Sequence, residues 1–429
     1  MALLTYRLLL ILLLPVILLL ALVRSFNHPA YRHRLGERLG LVPSNFKRGG
    51  IVIHGASVGE ILALKPFINE CLQAFNDVPI TVTTFTPTGS EQVQKIFGDR
   101  VQHCYLPLDI WPCSTGFLNA LQPSALVVME TELWPNLVAQ AKQRGTKLLL
   151  INGRISDKSI GRYEKFSALI RPCLARFDQV LAQSELNQQR LIHLGANAET
   201  CHNVGNLKYD IKAGADTAQK YQVLSPLLNV ERPIWLLASS HEGDEAIALA
   251  AYRTIAKQYP DLLLVVVPRH PERFDKVVNV MQQQQISVQR RSDNLPISAN
   301  TQVCVMDSLG ELLAAYQFAD IVTIGGTFSH IGGHNPLEPA LYQKPIIVGA
   351  DMANFVEVHQ QMSDQQGLIT LAKTNDDDAL SQALAEQVVT LLGDESTAAK
   401  LGRNAYQVVQ ANQGCCERTF AALNALLNT

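Results

Sequence analysis

This 429-residue sequence predicts an α/β protein of two consecutive units preceded by a membrane-anchoring helix. Three observations carry that reading. From residue 50 onward, short Val/Ile/Leu runs alternate with longer helical patterns in two successive series of nearly 200 residues, and most runs are continuously apolar, as buried parallel strands are. The length exceeds what one ordinary core accommodates. Near the start, Leu8 to Val23 is sixteen residues without a charge.

As a helix that segment extends about 24 Å, slightly short of a ~30 Å hydrocarbon core, with Tyr6 and Arg7 able to reach the interface. A cleaved signal peptide is the rival, but Arg24 follows immediately where small residues would mark a cleavage site. Arg24, Arg32, Arg34, Arg38, Lys47 and Arg48 follow the run and only Arg7 precedes it, which places the body in the cytoplasm. The expectation is a single-pass signal anchor.

Strands are expected at 50–54, 80–84, 101–106, 125–129, 147–152 and 178–183, and again at 233–238, 262–268, 286–290, 302–306, 320–325 and 344–348. The polar stretch Lys212–Glu231 reads as the hinge and Asp377–Thr429 as closing helices. The expected division is therefore an anchor over 1–24, a first domain over 25–212 and a second over 213–429. Ligands of such sheets bind at the strands' carboxyl ends, so two facing domains would create one cleft.

Net charge is −2, with no bulk signal for nucleic acid. Residues 1–212 hold 22 Lys+Arg against 15 Asp+Glu, and the remainder 14 against 23. A basic first half suits an anionic partner; uneven surface composition explains the counts equally well. Eight scattered cysteines form no CxxC pair, and the eleven histidines form no paired metal motif. Neither zinc nor a disulfide framework is indicated.

The stretch HGASVGE (54–60) follows the first strand. It lacks the GxGxxG spacing of a dinucleotide fold and the Lys of a P-loop. Ser57 and Glu60 have the spacing of a capping box, while a carboxylate at a strand's carboxyl end suits a general base. Both readings stand. In METELWPN (129–136), Glu130 and Glu132 share a face if extended, and proximity would raise one pKa; alternatively Glu132 caps the next helix. INGRISDKS (151–159) brings Asn152, Arg154 and Lys158, followed by Arg162 and Lys165, either as contacts to an anion or as a solvated charged face. NVGNLK (203–208) ends on Lys208.

In the second series, Pro268 stops a strand and leaves Arg269 at its carboxyl end, where a planar guanidinium suits phosphate or carboxylate. Asp307 to Glu311 starts a helix. The densest cluster is GGTFSHIGGHNPLEPA (325–340). Its glycines permit a tight loop, Pro336 in a first helical turn leaves amides for phosphate, and Glu338 can accept from ribose hydroxyls. Asp376-Asp377-Asp378 matches the D-x-D of metal-dependent sugar transferases but precedes a helix it can simply cap.

HGASVGE, ETELWPN, INGRIS, NVGNLKYD, PRHPERF and GGHNPLEPA, in that order, resemble the 3-deoxy-D-manno-octulosonic acid (Kdo) transferase family of lipopolysaccharide biosynthesis. The resemblance implies a GT-B fold, two Rossmann-like domains facing across a cleft. It implies transfer of Kdo from CMP-Kdo to the tetra-acylated lipid A precursor, lipid IVA, at the cytoplasmic face of the inner membrane; because a carboxylate base and fixed dipoles can do this, the sequence requires no bound metal or other cofactor. By the same resemblance Glu60 is the proton acceptor, and Glu130 and Lys208 stabilise the transition state. CMP contacts map onto Pro268 and Arg269, Leu309 to Glu311 (through Gly310), and Asn335 to Glu338 (through Pro336 and Leu337). Single displacement predicts inversion at the anomeric carbon. Two other readings are an epimerase-like relative acting on a UDP-sugar and a membrane-tethered nucleotide sensor.

Overall fold

The computed structural model describes residues 1–27, 29–211 and 215–428. The chain forms two compact units, Met1–Asp210 with Asn412–Thr429, and Ile211–Ala411. In the first, β1 (Ile51–His54), β2 (Ile80–Thr84), β3 (Gln102–Tyr105), β4 (Ala125–Met129), β5 (Lys147–Gly153), β6 (Gln179–Ala182) and β7 (Cys201–Asn203) form one sheet in the order β3-β2-β1-β4-β5-β6-β7. Every pairing is parallel. The runs read as continuously apolar because helices cover both faces. Ile51 and Ile53 of β1 join one core cluster and Val52 the opposite one.

The second unit repeats the plan with β8 (Ile234–Ser240), β9 (Leu263–Pro268), β10 (Val288–Arg290), β11 (Val303–Val305), β12 (Ile321–Ile324), β13 (Ile346–Val348) and β14 (Ile369–Thr370), in the order β10-β11-β9-β8-β12-β13-β14. These pairings are also parallel. All twelve expected strands are present. The edge strands β7 and β14 were not expected, because three and two residues carry no apolar run long enough to read. In each sheet the winding reverses once, between β1 and β4 and between β8 and β12. A crevice opens at the carboxyl ends of such a strand pair, where neighbouring connections leave on opposite sides.

Two boundaries differ from expectation. The expected junction at 212/213 falls on residues 212–214, outside those described, and the units divide between Asp210 and Ile211. The rest of the expected hinge is a helix, Ala215–Leu228. The final helix, Cys415–Leu427, belongs to the first unit. Its Cys415, Cys416, Leu423 and Leu426 complete the core under helix Val58–Ala74, and Phe420 meets Phe75 at a ring separation of 5.6 Å. Asp210 fixes its start by accepting from the amides of Gly414 (2.6 Å) and Cys416. All eight cysteines are free and buried, as small apolar side chains.

The N-terminal helix spans Ala2–Asn27 with Pro15 inside it. Among the described residues no helix is long and apolar enough to cross a membrane. The expected anchor, Leu8–Val23, runs through residues 17–22, whose side chains lie outside those described. Tyr6 and Arg7, expected to reach a lipid interface, are spent on the first unit instead. Tyr6 donates to Asp109 (3.0 Å), and Arg7 donates to Asn136 (2.8 Å) while lying 5.9 Å from the Trp111 ring centre. Buried Asp109 also accepts from the amides of Asn136 and Leu137, and burial raises its pKa to about 6. Beyond this contact, Leu8, Leu9, Ile11, Leu12, Leu13 and Val16 are exposed.

Candidate functional site

Polar groups gather at the carboxyl edge of the first sheet, around the reversal between β1 and β4. β1 ends at His54, the chain turns through Gly55 and Ala56, and helix Val58–Ala74 begins. Gly55 is required here, since a Cβ would sit 2.8 Å from Leu64. Glu60 accepts the Ala56 amide on one oxygen and the Ser57 hydroxyl on the other, both at 2.9 Å. The capping box is therefore incomplete. Ser57 donates to the carboxylate instead of accepting a helix amide. Burial and the charge of Glu130 raise the Glu60 pKa, while these two bonds and His54 oppose the shift. A carboxylate so placed is oriented, partly desolvated and a better proton acceptor than one in water.

Glu130 follows β4 directly with φ 56°, a left-handed conformation costly for a residue with a Cβ, held by its amide bond to the Ile151 carbonyl (2.9 Å). Glu132 accepts from the Trp134 indole at 3.1 Å and does not cap the following helix. Its other neighbour is His54, fully buried, with Nε2 3.7 Å from Glu132 and Nδ1 on Thr83. Sequence reasoning missed His54, whose one signal was its position as last residue of a buried strand. Trp134 stacks on Phe85, which with Tyr105 covers the guanidinium of Arg38.

Lys208 lies on the short 3-10 turn Leu207–Tyr209, capped by the side chain of Asn206. Asn152, expected as an anion contact, is instead buried, and its side-chain oxygen accepts the Leu207 amide at 3.0 Å. It ties the lysine's turn to the end of β5. Lys158, Arg162 and Lys165 do lie exposed, on helix Asp157–Lys165.

The second sheet presents the opposite charge. At its reversal the loop after β8 meets the glycine-rich loop after β12. Gly325 permits this approach, because a Cβ there would lie 2.6 Å from the Ser239 carbonyl oxygen. Asp244 laces the loops by accepting the amides of His241 (2.8 Å) and Gly326 (2.7 Å). His241 and His334 touch through their Nε2 atoms at 2.8 Å, and His270 stands edge-on to His241 with ring centres 5.2 Å apart. Burial, with Arg269 next, lowers His334 to about 3; burial and then His270 lower His241. Arg269 follows β9 exposed, its amide on the Ser240 carbonyl. Arg273 is neutralised by Glu245 at 2.9 and 3.0 Å. Nothing in the sequence joins His241 to His334, for they are 93 residues apart.

Two expectations, at Pro336–Leu337 and at Glu311, need correction in detail. The amide of Leu337 is taken by the Asn335 side chain at 3.1 Å, and Pro336 precedes rather than begins a helix of only four residues, so this turn offers phosphate fewer amides than expected. Glu311 is clamped by Arg291 at 2.7 and 2.8 Å and by the Ser308 hydroxyl. A ligand at Leu309–Glu311 would thus meet exposed Leu309 and the backbone around Gly310 rather than that carboxylate. Asp376 accepts the amides of Asp378 and Ala379, so the D-x-D run is a helix cap. Glu338 stands beside Asn335, and burial raises its pKa. Among the described residues no group of His, Cys, Asp and Glu is placed to hold a metal ion. A cavity of about 730 Å³, lined by Arg232, Asp320 and Lys344, lies at the amino ends of β8 and β12, the edge away from these groups.

Residues 33–211 match the family model described as 3-Deoxy-D-manno-octulosonic-acid transferase (kdotransferase). The 3-deoxy-D-manno-octulosonic acid transferase of Haemophilus influenzae is 38% identical over 424 residues, covering 98% of each chain. The crystal structure of the C-terminal CMP-Kdo binding domain of WaaA from Acinetobacter baumannii is 30% identical, covers 46% of this chain and 98% of its own, and has a TM-score of 0.41. The UDP-GlcNAc 2-epimerase of Neisseria meningitidis covers 90% of this chain and all of its own at 15% identity and TM-score 0.55, a likeness of fold.

Proposed function

Because the chain belongs to the Kdo transferase family, and is a glycosyltransferase of lipopolysaccharide biosynthesis, we propose that it carries Kdo from CMP-Kdo to the tetra-acylated lipid A precursor with inversion at the anomeric carbon. One observation carries the mechanism. Glu60 is held by the Ala56 amide and the Ser57 hydroxyl at the first sheet's reversal, with Glu130 raising its proton affinity.

Glu60 removes the proton of the acceptor hydroxyl as its oxygen bonds to the anomeric carbon. The bond from that carbon to the phosphate oxygen breaks, and its electron pair leaves with CMP. Lys208 and Glu130 steady the charge around the attacked carbon. Pro268, Arg269, Leu309 to Glu311 and Asn335 to Glu338 hold CMP, with Arg269 on the phosphate as it gains charge. The basic first half and the exposed Lys158, Arg162 and Lys165 support an acceptor bearing phosphates.

The protein attaches to the cytoplasmic face of the inner membrane through the exposed apolar side chains of its first helix. A single-pass crossing would put Tyr6 on the far side from Asp109, so attachment from one side fits the bond between them better.

The test is incubation of purified protein with CMP-Kdo and lipid IVA, reading the product by mass and the new anomeric centre by NMR. Mass increments of Kdo with inverted configuration are expected. Retained configuration would overturn the single displacement. Glu60→Ala should still bind CMP and lose transfer, whereas unchanged transfer would remove the base from the mechanism.

A further inference from the structure

The histidine pair at the second sheet's reversal has a chemistry that CMP contacts alone do not explain. An Nε2–Nε2 bond of 2.8 Å exists only when one ring carries its proton there and the other does not. In the neutral pair, one outer Nδ1 is then a bare acceptor and the other an N–H donor, whichever ring is which. One further proton converts the bare Nδ1 to N–H and leaves the inner bond intact. The pair becomes a monocation with two outward donors.

The surroundings hold that proton off until an anion arrives. Arg269, His270 and Arg273 face the pair from the segment after β9. Of the carboxylates nearby, Asp244 is committed to two backbone amides, Glu245 to Arg273 and the Ser240 hydroxyl, and Asp351, beside the glycine loop, to the Gly332 amide; Glu272 lies 3.9 Å from the His270 Nδ1, and Glu338 interacts with Arg269 while burial favours its uncharged form. Among the described residues Arg269 forms no ion pair. Gly326 packs against both rings, and a Cβ there would lie 3.2 Å from His334 and 3.4 Å from His241. The cluster is thus cationic, incompletely neutralised and closed to a larger side chain.

We propose that His241 and His334 together grip the phosphate of CMP and take up one proton from solvent as they do so. This rests on the reading that the second unit binds CMP. The charge balance favours the departing nucleotide. The phosphate linking cytidine to the sugar carries one negative charge; once the acceptor oxygen displaces the phosphate oxygen from the anomeric carbon, the electron pair of the broken C–O bond stays on the phosphate and its charge becomes two. The acceptor's proton goes to Glu60, so the pair's proton comes from water.

The test is calorimetric titration of the full-length protein with CMP and with cytidine at about pH 7.5, in two phosphate-free buffers of different ionisation enthalpy. Wild type should take up close to one proton with CMP and none with cytidine, and its CMP affinity should rise as pH falls from 8 to 6.5. His241→Gln and His334→Gln should lose the uptake and bind CMP about 10-fold or more weakly, with cytidine binding unchanged. CMP binding by wild type without proton uptake overturns the proposal, as does uptake that survives in both substitutions. If either variant fails to melt like wild type, the wild-type pH series decides. Absence of any CMP binding to wild type would overturn the underlying assignment of the nucleotide site, and this proposal with it.

Discussion

Ser57→Ala removes one of the two arms of the cradle that holds Glu60. The hydroxyl donates to one carboxylate oxygen at 2.9 Å and the Ala56 amide, left in place, serves the other. A hydrogen bond to a charged group is worth about 1.5–3 kcal/mol when sheltered. Glu60 is only partly buried, so water replaces some of it and about 1 kcal/mol is the expected net loss. That loss falls on the ionised form alone. The pKa of Glu60, already raised by burial and by Glu130, therefore rises further. Activity that needs the ionised base is lost at low pH and regained at high pH. Steady-state kcat/KM measured from pH 5 to 9 should show the acidic limb displaced upward, with a deficit of roughly fivefold on that limb and little above it. CMP affinity should not change. A uniform deficit at every pH would show that Ser57 acts on folding or on the acceptor rather than through the carboxylate's proton affinity, and a limb moved downward would refute the reasoning outright.

Glu130→Gln should move the same limb the other way, because removing a neighbouring negative charge lowers the Glu60 pKa, while the plateau rate falls; the same pH series reads both. Asp109 has its pKa raised from 3.8 to about 6, so the folded state binds the proton more tightly than the unfolded and stability rises as pH falls from above 6 toward 4. The stability difference between wild type and Asp109→Asn, followed by denaturant unfolding, should therefore widen in favour of wild type by about 2–3 kcal/mol across that window; a constant difference would count against a buried, ionised Asp109. Ending the chain after residue 411 removes Cys415, Cys416, Leu423 and Leu426 from the first core, a loss of about 6–10 kcal/mol that rivals a domain's total stability. Limited proteolysis should then degrade residues 1–210 before the second unit; equal resistance would show the last helix to be dispensable.

The sheets were legible because both faces of each strand are covered, which forces continuous apolar runs that no surface strand would carry. The same logic hid β14, whose two residues pair at an open edge, and the true home of the last helix. Cys415, Cys416, Leu423 and Leu426 have the spacing of a buried helix face, but nothing local states which core they enter. Asp210 supplies that information by capping the helix from 204 residues away in sequence. Tyr6 and Arg7 misled for a related reason. Amphipathic side chains beside an apolar run suit a lipid interface, and only the fold reveals that a buried carboxylate, Asp109, waits for the tyrosine.

The position of a single residue of the candidate site was legible in the sequence, and the position of a pair was not. Glu60, Glu130 and Arg269 each stand directly after a strand or in the first turn beyond one, so an ordinary strand assignment places them at the ligand edge. His241 and His334 are meaningful only together, and what joins them is the close packing of two loops that Gly325 permits. Because the two sheets share the same reversal of winding, topology gives both crevices equal claim to either substrate, and composition must decide between them. Beside the first stand Glu60, Glu130 and Glu132, and the oriented carboxylate of Glu60 can take a proton from an alcohol. Beside the second stand Arg269, which forms no ion pair among the described residues, and the His241–His334 pair, whose outer nitrogens can donate to a phosphate. A swap of roles would set the oriented carboxylate of Glu60 against a phosphate and the histidine pair against an alcohol, which is why the proposed function gives the nucleotide to the second unit and the proton acceptor to the first.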